Sequence, residues 1–123
     1  KGKNNMKKET VVVAPMKVYD DETNRTYILD FNRDTVRFAE ERGFKWDDFE
    51  DHIATYVPLI WFCAFRRYDP RISLEKTTKL LDDLGGMRPK WIKRLRELYD
   101  QALSTLVADD DDEVKNGHLT VEL

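Results

Sequence analysis

The chain has 123 residues and a formal net charge of −3, with 41% hydrophobic and 37% charged residues. This profile is typical of one globular domain with a strongly charged surface, and the near balance of charge excludes a global field that would draw the protein to nucleic acid or an anionic membrane. The single cysteine, Cys63, excludes an intramolecular disulfide. Because Cys63 lies in an apolar run, we predict that it is a small buried hydrophobic side chain.

Three segments are predicted along the chain. Residues 1–8 form a flexible N-terminal leader or a cloning remnant, residues 9–108 a single globular domain, and residues 109–123 an acidic, disordered tail. The tail opens with five consecutive acids that repel one another. No signal-peptide core follows the basic N-terminus, and the longest uncharged run, from Ile53 to Phe65, is too short to span a bilayer. We therefore expect neither membrane insertion nor export.

A β-hairpin is the first predicted element of the domain. Residues 17–19 and 25–29 show partial alternation of polar and apolar side chains on either side of the polar turn 20–24. An isolated hairpin is marginally stable in water, so it should pack against helices or pair with another chain. An exposed strand edge would allow self-association into a homo-oligomer.

A body of four to five helices is predicted to follow the hairpin, which makes the fold class α+β, mostly α. Asn32 is the expected N-cap of a first helix that runs through Arg42 and ends at Gly43. Asp47 and Glu50 resemble a capping box for the second helix. That helix would carry the apolar side chains of Phe49, Ile53, Tyr56 and Val57.

Pro58 leaves two interpretations open, because it either kinks the second helix or opens a new one. The following stretch is apolar on every side, so a helix there must be enclosed by its neighbours at the centre of the core. Asp69 before Pro70 should end this helix. Ser73 is the expected N-cap of the next one, with Glu75 in its first turn. We predict that this next helix buries one stripe and stops at two glycines: Leu74, Thr77, Leu81 and Leu84, then Gly85 and Gly86.

The last helix, which opens at Pro89, has the clearest amphipathic pattern of the chain. Its predicted buried face is Trp91, Ile92, Leu95, Leu98, Tyr99, Ala102, Leu103 and Leu106. Its other face is basic, with Arg88, Lys90, Lys93, Arg94 and Arg96 and no acid among them. A solvated or intramolecularly paired face is the first interpretation of these cations, an acidic partner surface the second and nucleic acid the third.

The sequence shows no signature of catalysis or metal binding. His52 and Asp48 lie four residues apart but have no evident third ligand, and the run from Asp109 to Glu113 lacks the turn glycine of a calcium loop. Gly85 and Gly86 follow a helix and lack the lysine spacing of a phosphate loop. We therefore expect no enzyme, no catalytic residue, no cofactor and no metal.

The order of motifs from Tyr27 to Gly86 resembles the tail assembly chaperones of long-tailed bacteriophages and prophages, especially those of Gram-positive hosts. Strands are followed by the pattern FxxxxxxFxExxG, an acidic aromatic turn and the stretch LIWFCAFRRYDPRISLEKTTKLLDDLGG. The matching positions are Phe31, Phe38, Glu40, Gly43, Trp61, Ala64, Arg66, Asp69, Pro70, Ile72, Ser73, Leu74 and Leu81. The chain departs from the family pattern at Phe62, Cys63 and Phe65, which are bulkier than the usual small residues, and at Tyr68, which replaces an acidic or polar residue.

The resemblance implies a non-enzymatic protein of the host bacterial cytoplasm that is absent from the mature virion. Such proteins bind the tape measure protein, keep it soluble and help the tail tube protein polymerise around it. Many are also made as a longer product by a programmed ribosomal frameshift. The alternatives are a small nucleic-acid-binding regulator that uses the basic face of the last helix, and a structural phage subunit.

On this basis we predict a partner-binding surface around the central helix, the loop after it and the basic face. Its residues are Trp61, Phe65, Arg66, Arg67, Arg71, Lys90, Lys93 and Arg94. Each has a structural alternative. Trp61 and Phe65 are expected more often in the core, and Arg66 with Arg67 would favourably end a helix against its dipole.

Overall fold

The computed structural model describes residues 12–123. Within this range a two-stranded antiparallel hairpin is followed by four α-helices and one 3₁₀ segment, so the fold is α+β and mostly α, as predicted. The predicted leader, residues 1–8, lies outside the described residues. Residues 109–123 are exposed and contain turns and bends but neither helix nor strand. No helix within the described range has both the length and the apolar character needed to cross a membrane.

The hairpin consists of β1 (Met16–Asp20) and β2 (Arg25–Leu29), in a register that pairs Met16 with Leu29 and Asp20 with Arg25. Asn24 has a φ of 56° and makes the left-handed turn that returns the chain. The edge of the Tyr27 ring meets the Phe65 ring at a centroid distance of 5.4 Å. Of the two arrangements expected for the hairpin, the structure therefore shows packing against the helices.

Helix α1 (Arg33–Glu41) begins and ends where the sequence predicts. The Thr35 N–H donates to Asn32 Oδ1 and the Asn32 N–H donates to Thr35 Oγ1, both at 2.9 Å, which is a reciprocal capping box. At the other end Gly43 has a φ of 87°, a conformation that glycine adopts without the steric cost of a Cβ atom. The buried side chains of α1 include Val36 and Ala39.

The region after α1 differs from the prediction. A 3₁₀ segment (Trp46–His52) precedes α2 (Ile53–Phe65), and the N-cap of the segment, Lys45, makes no side-chain capping bond. The predicted Asp47–Glu50 capping box is therefore wrong, because the chain turns tightly here to return an aromatic cluster to the core. Pro58 lies inside α2 and does not open a new helix.

Helix α2 lies at the centre of the core, as its apolar composition predicts. It packs against α1, α3, the 3₁₀ segment and β2. Its fully or nearly fully buried side chains are Ile60, Trp61, Cys63, Ala64 and Phe65. Burial raises the pKa of the Cys63 thiol to about 12, which keeps it protonated at neutral pH.

Helix α3 (Leu74–Asp83) has the predicted N-cap, since the Lys76 N–H donates to Ser73 Oγ at 3.0 Å. The buried stripe of α3 differs from the prediction at one position. Leu74 is 50% exposed, whereas Leu80 is buried beside Leu81. Leu74 is the first residue of the helix and its side chain is half exposed, so the prediction that it is buried is wrong. Gly85 and Gly86, with φ of 82° and 102°, end the segment as predicted.

Helix α4 (Pro89–Leu103) buries Leu95, Leu98 and Tyr99. Leu106, which was expected on the same face, lies beyond the helix end and is exposed. The helix also holds the segment before the hairpin, because the Gln101 amide bonds both the N–H and the carbonyl of Val13, at 2.6 and 3.4 Å.

Candidate functional site

An open groove with a volume of about 720 Å³ runs between the 3₁₀ segment and α4. Its apolar floor is formed by Trp46, Phe49, Ile53, Pro89 and Ile92. Ile53 is 48% exposed, more than Trp46, Phe49 or Ile92, although it is the first residue of the helix that lies at the centre of the core. An accessible apolar floor of this kind is a common property of protein-binding grooves.

The wall that carries Trp46 is held in place by the turn after α1. The Phe44 N–H donates to the Ala39 carbonyl at 3.1 Å, and the Tyr56 hydroxyl donates to the Gly43 carbonyl at 2.8 Å. Phe44 then meets the Trp46 ring edge-on at 4.8 Å. These bonds and the aromatic contact give the groove a rigid wall without a regular helix.

Tyr99 supports the same wall from α4. Its ring lies 5.7 Å from the Trp46 ring with an angle of 86° between their planes. Burial raises the pKa of Tyr99 to about 12, so its hydroxyl stays neutral over the physiological range. The groove thus rests on an uncharged aromatic cluster.

The two rims of the groove carry opposite charges. Asp47, Glu50 and Asp51 line the 3₁₀ side, and Lys93 and Arg96 line the α4 side. Among the described residues, no ion pair joins the two rims. The Arg96 guanidinium instead lies over the Trp46 ring, 5.5 Å from its centroid. Apart from this contact of Arg96, the rim charges are available to a partner.

Two of the predicted partner-binding residues are in the core. Trp61 is 0% and Phe65 1% exposed, and the Trp61 indole N–H donates to the Thr77 carbonyl at 2.8 Å. Neither side chain can contact a partner in this fold. Of the two interpretations that the sequence left open, core packing is the one observed.

The three predicted arginines of the loop after α2 have different surroundings. The Arg67 guanidinium pairs with buried Asp30 at 2.7 Å and also donates to the Phe31 carbonyl. Arg66 donates to the Pro70 carbonyl and lies over the Phe38 ring at 4.0 Å. Arg71 is exposed. Arg67 and Arg66 are thus engaged within the domain, whereas Arg71 is exposed.

The three predicted partner-binding residues of α4 also differ in their surroundings. Lys93 lines the groove, and Lys90 is exposed but does not line it. Arg94 donates to the Ala14 carbonyl at 3.1 Å and approaches Glu97 at 3.6 Å, so its charge is used within the domain. Of these three residues, Lys93 is the one that lines the groove. The groove is also lined by Phe49 and Ile53, which the sequence assigned to the interior, and by Asp47 and Glu50, which it assigned to a capping box.

Other chemistry in the described residues is sparse. His52 lies 3.9 Å from Asp48, and no group of three or more potential metal ligands is present in this part of the chain. Cys63 is buried with a raised pKa, which disfavours a thiolate nucleophile. A second groove, of about 600 Å³, lies between the hairpin turn and α3 and is lined by acids and lysines.

The fold and groove define a small α+β domain with an open groove between a 3₁₀ segment and the last helix. The chain belongs to the family described as a domain of unknown function, DUF5055, whose model matches residues 6–123. Neither the curated proteins nor the solved structures gave a significant match to this chain.

Proposed function

We propose that this protein is a tail assembly chaperone of a long-tailed bacteriophage or prophage. It binds the tape measure protein in the host bacterial cytoplasm, keeps it soluble and assists tail tube assembly without catalysing a reaction. The proposal rests on the resemblance over Tyr27 to Gly86 and on the groove between the 3₁₀ segment and α4.

The observation that carries the proposal is the combination of an accessible apolar floor with rims of both charges. A long helical client exposes apolar stripes bordered by charged residues, and such stripes bind in grooves of this kind. Ile53 offers apolar area at the floor, and Lys93 and Glu50 offer charge at its two sides.

The positions that carry the resemblance have structural roles in this domain. Phe31, Trp61 and Ala64 are buried, and the Ala64 carbonyl accepts the Asp30 N–H at 3.0 Å. Ser73 caps α3. These residues form the core and the helix starts, so the functional proposal is an analogy drawn from the sequence resemblance, and the groove supports it.

The basic face of α4 favours a protein partner over nucleic acid. Arg94 is bound to the Ala14 carbonyl, and Arg88 donates to the Gly86 carbonyl and lies over the Trp91 ring. The Trp91 ring is in turn stacked on Trp61 at 6.3 Å. With Arg96 over the Trp46 ring, three of the five cations are engaged within the domain. The aromatic ring that could have stacked on a base packs against the core.

The test is co-expression with a tape measure protein of a long-tailed phage, followed by pull-down and measurement of its soluble fraction. We expect the wild type to retain the client in the soluble fraction. Ile53→Gln should lose client binding, because it removes apolar area from the groove floor.

Leu74→Gln is the matched control, since Leu74 is also the first residue of a helix and is similarly exposed but lies outside the groove. It should retain the client. An insoluble, unbound client with the wild type, or equal loss with both variants, would overturn the proposal. DNA binding at graded salt, or incorporation into mature virions, would then indicate a regulator or a structural subunit.

A further inference from the structure

We infer that the groove binds an amphipathic helix with one acidic and one basic flank, and that its two charged rims fix the direction in which that helix lies. This inference rests on the proposed function, because it specifies the client segment that the groove accepts. It depends on the spacing of the rim charges, on their lack of mutual pairing and on the geometry of a helix.

The rim on α4 is spaced to meet acids on one flank of a helix. Lys93 and Arg96 are three residues apart on α4, so they lie on the same side about one turn from each other. Carboxylates three or four residues apart on a partner helix have the same repeat. This rim therefore matches an acidic flank one or two turns long.

The opposite rim is acidic and suits a basic flank. Asp47 and Glu50 both line the groove from the 3₁₀ segment, on either side of a kink at Asp48, whose φ of −116° and ψ of 28° are not helical. Long Lys or Arg side chains on one flank of a partner helix would meet these carboxylates. Asp51 adds a third carboxylate to this rim.

Apart from the contact of Arg96 with the Trp46 ring, the domain leaves these charges for a partner. Within residues 12–123, no ion pair includes Lys93, Arg96, Asp47, Glu50 or Asp51. A helix with two acidic flanks would meet the carboxylates of the 3₁₀ rim, and one with two basic flanks would meet the cations of α4. Each would gain at one rim and be repelled at the other, so the mixed pattern is preferred.

Opposite rims also determine direction. When a helix is turned end for end in a groove with its apolar stripe still facing the floor, its left and right flanks exchange sides. Only one of the two directions then places acids beside Lys93 and bases beside Glu50. The apolar floor alone, formed by Trp46, Ile53 and their neighbours, would not distinguish the two directions.

The experiment uses three designed helical peptides with the same apolar stripe and with mixed, all-acidic or all-basic flanks. Binding to the full chain is measured by anisotropy of a labelled peptide. We expect the mixed peptide to bind about tenfold more tightly than either other peptide, which corresponds to about 1.4 kcal/mol. The preference should shrink at about 0.5 M NaCl, because salt screens exposed charges.

A charge reversal provides the second readout. Lys93→Glu with Arg96→Glu makes both rims acidic, so this double variant should bind the all-basic peptide best. The matched control is Lys90→Glu with Arg71→Glu, which changes the net charge equally at exposed positions outside the groove. This control variant should still bind the mixed peptide most tightly, as the wild type does. Circular dichroism confirms that each variant is folded.

Direction is read from a paramagnetic label on the peptide N-terminus. Exchanging the two flanks of the mixed peptide should move the broadened resonances from one end of the groove, near Pro89, to the other, near Arg96, or the reverse. Equal binding of the three peptides, an unchanged preference in the double variant, or broadening that does not move would overturn the inference.

The outcome separates this inference from the proposed function. Peptide selectivity without capture of the tape measure protein would leave the groove assignment standing and reject the client. Capture of that protein without peptide selectivity would reject the charge pattern and keep the chaperone.

Discussion

The guanidinium of Arg67 and the carboxylate of Asp30 lie 2.7 Å apart, although the two residues are separated by 37 positions in the chain. Asp30 follows β2 and Arg67 follows α2, so this ion pair joins the hairpin to the central helix. The Asp30 N–H also donates to the Ala64 carbonyl at 3.0 Å. Arg67, which the sequence assigned to partner binding, therefore stabilises the packing of the hairpin against the central helix.

Replacing Arg67 should destabilise the domain. In Arg67→Ala the buried Asp30 carboxylate loses its ion-pair partner, and we expect the free energy of unfolding to fall by about 2 kcal/mol. Urea denaturation followed by circular dichroism measures this. Arg71→Ala, at an exposed position of the same loop, should change stability by less than about 0.5 kcal/mol. Equal effects of the two variants would contradict the role given to the pair.

The capping box observed at Asn32 and the one predicted at Asp47 can be compared by mutation. Asn32→Ala removes the observed capping box of α1 and should cost about 1 kcal/mol of stability. Asp47→Ala removes the predicted box that the structure lacks and should cost less than about 0.5 kcal/mol. Thermal unfolding of both variants decides the point, and a larger loss for Asp47→Ala would favour the sequence prediction over the structure.

Trp61 should be among the most sensitive positions of the core. Trp61→Phe leaves the Thr77 carbonyl without its 2.8 Å hydrogen bond and opens a cavity, so we expect a loss of about 2–3 kcal/mol. Trp91 offers the comparison, because it is half-buried and stacked on Trp61. Trp91→Phe should cost clearly less. Denaturation midpoints that are the same for both variants would be inconsistent with the observed packing.

The buried thiol of Cys63 should make the free energy of unfolding depend on pH in the alkaline range. Its pKa is raised from 9.0 in the unfolded chain to about 12 in the fold, because burial penalises the thiolate. The unfolded state therefore releases the thiol proton first. The stabilising effect of the raised pKa is fully present below pH 9 and is lost as the pH rises from there towards 12.

The measurement compares wild type with Cys63→Ala at several pH values. The stability advantage of the wild type should shrink by about 1.4 kcal/mol between pH 8 and pH 10, since the slope is about 1.4 kcal/mol per pH unit above the unfolded pKa. The pKa of Tyr99 is raised to about 12 by burial and partly by the charge of Cys63, so between pH 8 and pH 10 Tyr99 is protonated in both folded proteins and contributes little to the difference. A difference independent of pH would show that the thiol is accessible to solvent in the fold.

The acidic tail should contribute little to the stability of the domain. Residues 109–123 are exposed and lack helix and strand, so their deletion should change the free energy of unfolding by less than about 0.5 kcal/mol. Limited proteolysis should cleave there before it cleaves the helices. A lower melting temperature after deletion would instead indicate that the tail packs on the basic face of α4.

The sequence by itself determined the features that depend on residues close together in the chain. The N-caps at Asn32 and Ser73, the glycine ends of α1 and α3 and the hairpin were all predicted correctly. Their signals lie within one turn of helix or one β-turn. The central position of α2 was also predictable, because a segment that is apolar on every side cannot face water.

Only the tertiary structure decided which charged and apolar side chains face a partner. Of the eight predicted partner-binding residues, Lys93 lines the groove, whereas Arg67 and Arg94 are engaged within the domain and Trp61 and Phe65 are buried. The groove joins a 3₁₀ segment to a helix more than 35 residues later, and its floor uses Ile53, which a helical pattern assigns to the core. Periodicity reports that a side chain is apolar or charged, but its partners depend on how distant segments pack.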